Sequence, residues 1–138
     1  MNRRIWPLVV LAVAVLAPGC GSSNVARVSG NVLKDGKPFP VAEGQWLQIH
    51  LVPVDADPGK QEIYLANLDK DGSFQFPGKE GNGVPLGKYK VTARLVTYKD
   101  RDTDLLRSQF SDVNSQVVKE VTGSTSVDLD LSAATVAK

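Results

Sequence analysis

Apolar and polar residues alternate with a period of two along most of the chain after Val25. Leu47, Ile49 and Leu51 are separated by polar residues, and the segment 89–95 repeats this alternation. The period is typical of β-strands with one buried and one solvent-facing side. The apolar positions predicted to form the core are Val28, Val32, Leu47, Ile49, Leu51, Phe74, Phe76, Tyr89, Val91, Ala93, Leu95, Val127, Leu129 and Leu131.

Turns rich in glycine, proline and aspartate divide this pattern into short segments. The turn signals lie at 34–37, 57–59, 69–72, 81–83 and 122–124. No segment of helical period rivals the alternating ones, so the sequence predicts an all-β fold: a single antiparallel β-sandwich of about seven strands over residues 25–131. A small closed barrel is the alternative. The polar residues 99–115 are predicted to form a surface excursion, with a short helical turn within 102–110.

The N-terminus has the residue order of an export signal. Arg3 and Arg4 precede an uncharged stretch from Ile5 to Ala17, and Cys20 follows. The stretch is shorter than the ~20 residues that cross a bilayer, so we expect a cleaved signal rather than a membrane helix. No second cysteine exists to pair with Cys20. The alternative for this residue is a stray thiol in an ordinary secreted protein.

The segment from Leu16 to Cys20 resembles the lipobox of bacterial lipoproteins. The resemblance implies cleavage before Cys20, diacylglycerol on its thiol, and a further acyl chain such as palmitate on its amino group. The membrane is therefore an expected partner. Gly21 stands where an aspartate retains some lipoproteins at the inner membrane. The expected location is the cell envelope, at the outer membrane facing the periplasm or at the cell surface.

These assignments divide the chain into four parts. Residues 1–19 are the predicted lipoprotein signal peptide, and residues 20–24 are a lipidated N-terminus with a short polar tether. Residues 25–131 are the predicted β-sandwich, and residues 132–138 are a C-terminal tail.

Three motifs in the predicted sandwich resemble carboxypeptidase-regulatory-like domains. They are the opening strand and Asp-Gly-Lys-Pro turn in 28–40, the Asp-Lys-Asp-Gly-Ser-Phe hairpin in 68–74, and the Pro-Leu-Gly-Lys-Tyr strand start in 85–91. The resemblance implies a transthyretin-like sandwich. It also implies an accessory, non-catalytic module, since most members of that family have this role.

Charge and the histidine count exclude several function classes. The net charge is +1 with no cluster of basic residues, which excludes a nucleic-acid surface. The single histidine, His50, is predicted to face solvent beside Gln48 on a strand, away from any nucleophile or second metal-binding nitrogen. We therefore expect no cofactor and no enzymatic activity.

Two groups of aspartates are weak candidates for a calcium site. Asp69 and Asp71 open an oxygen-rich loop, and Asp100, Asp102 and Asp104 have the 1,3,5 spacing of one. A strand begins directly after Gly72, and the second group lacks the later glycine and glutamate of a calcium loop. A hairpin turn and a solvated acidic loop are the favoured interpretations.

Trp46 and Tyr64 are weak candidates for ligand binding, because either ring could lie on a sandwich face as a stacking platform. The sequence therefore supports two alternative functions. The first is a membrane-anchored, non-catalytic lipoprotein that serves as a binding or structural module of the cell envelope, with an envelope protein or glycan as partner. The alternative is a carbohydrate-binding accessory module that uses these aromatics.

Overall fold

The structure is a computed structural model that describes residues 24–57 and 59–133. The predicted signal peptide, Cys20 and residues 134–138 of the predicted tail lie outside the described residues. Among the described residues, no helix has the length and apolar character that crossing a membrane requires.

The described chain is all-β, as the alternation predicts, but its strands are shorter and more numerous than expected. The strands are β1 (Val25–Ala26), β2 (Val28–Lys34), β3 (Lys37–Pro38), β4 (Gln45–Pro53), β5 (Tyr64–Leu65), β6 (Asn67–Leu68), β7 (Ser73–Phe76), β8 (Val84–Pro85), β9 (Gly87–Thr97), β10 (Val118–Val121), β11 (Thr125–Ser126) and β12 (Leu129–Asp130). Single 3-10 turns lie at Lys79–Gly81 and Leu131–Ala133.

Two sheets form the body of the domain, and most of their strand pairs are antiparallel. One has the order β10-β9-β4-β5, and its central pairing runs from Gln45 opposite Thr97 to Pro53 opposite Tyr89. The other has the order β11-β2-β7-β6, with β3 and β12 also paired to β2. The chain passes from one sheet to the other at Ala66, between β5 and β6.

The antiparallel expectation fails at the C-terminal segment. Both β11 and β12 lie parallel to β2. The physical reason is the position of the preceding turn. Val121 ends β10 opposite Gly87, and the amide of Thr125 then donates to the carbonyl of Arg27 at 3.0 Å, so the segment starts beside the beginning of β2 and follows its direction.

In both sheets mainly alternate side chains face the core and form one cluster, although β9 also buries Thr92 and Val96 outside that cluster. Every predicted core position is buried in it. The cluster also contains Tyr64, Val84, Leu106, Phe110 and Val121, which the alternation did not single out. A shared core between two sheets makes the fold β-sandwich-like.

The two ends of the four-stranded sheet lie far apart. At the Asn24 end, the amide of Leu86 donates to the carbonyl of Asn24 and the amide of Val54 to that of Lys88, both at 3.0 Å. The Trp46 end lies at the other end of β4 and β9. Because β9 has 11 residues, the two ends are roughly 30 Å apart.

Candidate functional site

A groove of about 580 Å³ opens at the Trp46 end. Three large apolar side chains in its wall are exposed: Trp46 at 40%, Leu65 at 47% and Tyr98 at 61%. We call it the aromatic groove. It lies between the turn that precedes β4, the crossing from β5 to β6, and the end of β9.

The strand register places the two rings together. Trp46 lies opposite Val96, and Tyr98 follows two residues later on the same face of the neighbouring strand. The amide of Tyr98 donates to the carbonyl of Gly44 at 3.0 Å, which continues the ladder by one step. Diagonal neighbours of this kind are roughly 7 Å apart in a sheet. Both rings therefore border one groove.

A short turn fixes the start of β4 beneath Trp46. The amide of Gln45 donates to the carbonyl of Ala42 at 3.1 Å, and Gly44 has a φ of 80°. A side chain with a Cβ is strained in that left-handed region, so the glycine permits the turn.

Polar side chains border the same groove. Glu43 comes from the turn before β4, and Asn67, Asp69 and Lys70 come from β6 and the hairpin after it. Aromatic faces pack against apolar ring faces of a ligand, while carboxylate and amide groups accept or donate hydrogen bonds to hydroxyl and amide groups. The groove therefore suits a ligand with both kinds of surface.

Tyr64 is not part of this groove, and the expectation of an exposed platform at that residue was wrong. Its side chain is buried, with 6% exposed, and its ring makes an edge-on contact with Tyr89 at 6.1 Å. Its hydroxyl donates to Glu62 at 3.1 Å. Burial, followed by this hydrogen bond, raises the pKa of Tyr64 to about 12. Tyr64 points into the core because it lies opposite the buried Leu51, and residues opposite each other in a sheet point to the same face.

Asp69 and Asp71 lie in the hairpin turn that the sequence favours. The Asp71 carboxylate accepts from the hydroxyl of Ser73 at 2.7 Å and from its amide at 3.0 Å, and Gly72 has a φ of 89°. These hydrogen bonds, the side-chain one foremost, lower the pKa of Asp71. The amide of Gly72 closes the turn on the carbonyl of Asp69 at 3.1 Å.

The carboxylates of Asp100 and Asp104 have separate partners, and Asp102 takes part through its backbone groups. The Asp100 carboxylate accepts from the amides of Asp102 and Thr103 at 3.0 and 3.1 Å, and its hydrogen bonds, led by that of Thr103, lower its pKa. The Asp104 carboxylate accepts from the amides of Leu95, Leu106 and Ser108, each at 3.0 Å. Among the described residues, no group of three or more His, Cys, Asp or Glu side chains is placed to hold a metal ion.

The excursion 99–115 contains turns rather than the predicted helical turn. Arg107 and Ser108 have φ values of 53° and 58°, which interrupt a right-handed helix. The segment is also less superficial than expected, because Leu106 and Phe110 are buried in the core.

His50 is half-buried on the outer side of β4, next to this excursion. It lines a cleft of about 410 Å³ together with Arg94, Asp104, Ser108 and Asp112. Burial lowers the pKa of His50, so the neutral imidazole is favoured in the folded chain. Arg94 donates to the carbonyls of Arg101 and Asp102 at 2.8 and 2.7 Å, which ties the excursion to the sheet.

A larger groove, of about 890 Å³, lies on the outer face of the second sheet. Its exposed lining includes Arg27, Ser29, Asn31, Gln75 and Asn82. It offers hydrogen-bonding groups, but its aromatic residues Phe74 and Phe76 are buried in the core, so the surface that it presents is polar.

Comparisons with known proteins found no counterpart: no protein-family model, no curated protein and no solved structure matches this chain. The site is therefore defined by its own geometry. The sequence pattern pointed to Trp46 but not to Tyr98. The position of Tyr98 could have identified it. It is an even number of residues after Lys88, so it continues the outward-facing positions of that alternating segment.

Proposed function

We propose that this protein is a membrane-anchored, non-catalytic lipoprotein of the cell envelope, whose β-sandwich binds a partner through the aromatic groove. The proposed anchor is a lipidated Cys20 at the end of the signal-like segment. The proposed fold subclass is the transthyretin-like sandwich of carboxypeptidase-regulatory-like domains, in which a binding role without catalysis is common.

The joint exposure of Trp46 and Tyr98 is the observation that carries the binding role. Large aromatic side chains at the centre of a groove contribute strongly to recognition, because they bury much apolar area with little loss of conformational freedom. Here the two rings border one concave surface with acidic and amide groups at its rim. An envelope protein or a glycan fits this description.

The roles of the Asp71 and Asp104 carboxylates support a non-catalytic function. The carboxylates of Asp71 and Asp104 accept hydrogen bonds from backbone amides. Asp71 thereby stabilises a hairpin turn, and Asp104 stabilises the edge of β9. A general base needs its oxygen or nitrogen free to take a proton from a substrate.

The anchor is tested by Cys20→Ser in the native host. We expect the substituted chain to lose lipid labelling and to leave the membrane fraction, since a lone tether of small polar residues has no membrane affinity. A Cys20→Ser chain that keeps the lipid label contradicts the lipoprotein proposal.

Binding through the aromatic groove is tested by photo-crosslinking from membranes. A crosslinking residue at Tyr98 should capture a partner that is lost when Trp46→Ala is added. The matched control places the same crosslinker at Val113, which is 85% exposed and lies outside the groove. Equal capture from both positions contradicts the groove as the binding surface.

Carbohydrate recognition is the second candidate function, and the pairing of Trp46 with Tyr98 favours it. Sugar rings stack on aromatic faces while their hydroxyls bond to carboxylates and amides such as Glu43 and Asn67. Trp6 leaves with the proposed signal peptide, so Trp46 is then the sole tryptophan reporter. Under this function, envelope glycans shift the emission of Trp46, and Tyr98→Ala weakens that response. No shift with any envelope glycan contradicts it.

A further inference from the structure

The Asn24 end of the domain also exposes large apolar side chains. Val54 and Leu86 are each 44% exposed, and Ile63 is 54% exposed. We call these three residues the Asn24-end patch. Val54 and Leu86 lie at the end of the four-stranded sheet opposite to Trp46 and Tyr98 of the aromatic groove, whereas Ile63 lies nearer the middle of the sheet, two residues before Leu65 of the groove.

Backbone hydrogen bonds place Leu86 and Val54 at this end, and side-chain contacts of the neighbouring Tyr64 relate Ile63 to it. Leu86 bonds directly to Asn24, and Val54 bonds to Lys88, two residues beyond Leu86. Ile63 precedes Tyr64, whose ring contacts Tyr89. The Tyr89 hydroxyl in turn donates to the carbonyl of Pro85 at 2.8 Å.

The distance to the proposed anchor is short. Four residue steps separate Cys20 from Asn24, and a fully extended chain of that length spans at most about 14 Å. With the acyl chains of Cys20 inserted, this end of the domain is held within reach of the lipid headgroups.

Charges at this end are mixed, so net attraction to anionic lipid is not the expected force. Exposed residues of both signs are next to Val54, Ile63 and Leu86 in the chain or in strand register, among them Lys60, Lys88 and Lys119 and the acidic residues Asp55, Glu62 and Glu120. Glu62 also makes an exposed contact with Lys79 at 4.0 Å. Apolar side chains that enter the interface are the remaining source of affinity.

We infer that the Asn24-end patch rests on the surface of the bilayer and holds the domain upright. The aromatic groove then faces away from the membrane, roughly 30 Å above it. This inference depends on the proposed lipidation of Cys20. An anchor at one residue leaves a domain free to tumble, whereas a second, apolar contact restricts its orientation.

The test uses the lipidated mature protein, which begins at Cys20 and lacks Trp6, in phosphatidylcholine vesicles whose acyl chains carry bromine, which quenches nearby tryptophan. The native chain reports on the groove through Trp46. The double variant Trp46→Phe, Leu86→Trp reports on the patch, and Trp46→Phe, Val54→Trp repeats the measurement at a second exposed site. We expect the patch reporters to be quenched at least about twofold more than Trp46, since interfacial apolar groups enter the headgroup boundary.

Two failures are distinguishable in this experiment. Protein that does not stay with the vesicles overturns the lipid anchor itself. Protein that stays bound, but shows no more quenching at the two patch reporters than at Trp46, overturns the orientation while leaving the anchor intact. A folding defect in one variant is recognised by its circular dichroism, and the other variant then decides.

Discussion

The carboxylate of Asp104 accepts a hydrogen bond from the backbone amide of Leu95 at 3.0 Å. Leu95 is fully buried in β9. On the edge of β9 away from β4, β10 pairs only with residues 87–90, and no other strand among the described residues pairs with the rest of that edge. The excursion 99–115 satisfies that edge with irregular backbone instead: the amide of Leu105 donates to the carbonyl of Leu95 at 2.7 Å, and the amide of Ala93 to that of Phe110 at 2.9 Å. The acidic excursion is therefore a structural part of the domain.

Substitution of Asp104 by alanine should destabilise the fold. The change leaves the amides of Leu95 and Leu106 without their acceptor, and both residues are buried. An unsatisfied buried donor costs about 1–3 kcal/mol, so we expect a loss of about 2 kcal/mol or more in the free energy of unfolding. Urea denaturation followed by circular dichroism measures it.

Asp102→Ala is the matched control for this prediction. Asp102 lies in the same excursion and is exposed, and its backbone rather than its carboxylate makes the contacts with Asp100 and Arg94. We expect its urea midpoint to equal that of the native chain. Equal loss in both variants would show that Asp104 has no special role at the edge.

Gly30→Ala should disrupt the packing of β2 against the C-terminal segment. A Cβ at Gly30 would lie 1.7 Å from the carbonyl oxygen of Val127 and 2.7 Å from the ring of Phe74. Because backbone must move to relieve this overlap, we expect a loss above the ~1–3 kcal/mol typical of overpacking. Gly123→Ala is the control, since its Cβ would meet nothing within 4 Å. A Gly30→Ala chain with native thermal stability would contradict the described register.

The stability of the fold should decrease below neutral pH because of His50. Burial lowers its pKa from the ordinary value of 6.5, so the unfolded chain binds the proton more readily than the folded chain. The stabilisation is complete above the unfolded pKa and is lost as the pH falls through and below 6.5. The aspartates whose pKa is lowered titrate below their ordinary range. The change in stability in this pH range is therefore assigned to His50.

Two measurements check the His50 prediction. The protein has one histidine, so a single imidazole signal in an NMR titration reports its pKa, which should lie below 6.5. His50→Gln should remove the decrease in urea midpoint between pH 7.5 and 5 that the native chain shows. A titration at or above the ordinary value would contradict burial as the dominant influence.

The buried faces of the long strands were predictable from sequence, and the breaks between strands were not. Leu47, Ile49 and Leu51 are buried as expected because period two in β4 holds from Trp46 to Leu51. The crossing at Ala66 depends on the pairing of Asn67 with Gln75 in the other sheet, a long-range choice that local alternation does not encode.

Only part of the candidate site was predictable, because local alternation does not encode which strands pair. Parity placed Trp46 on the outer face, where it is exposed. Tyr64 belongs to a two-residue strand, too short for parity to decide its direction, and its burial follows from pairing with β4. The closeness of Tyr98 to Trp46 required the β4–β9 register, which sequence alone did not supply.

Mass spectrometry of the N-terminal peptide, from protein extracted from native membranes, tests the proposed anchored module most directly. We expect a mature chain that begins at Cys20, with diacylglycerol on its thiol and an acyl chain such as palmitate on its amino group. A chain that begins at another residue, or a mature chain whose Cys20 thiol is free, would contradict the proposed anchor.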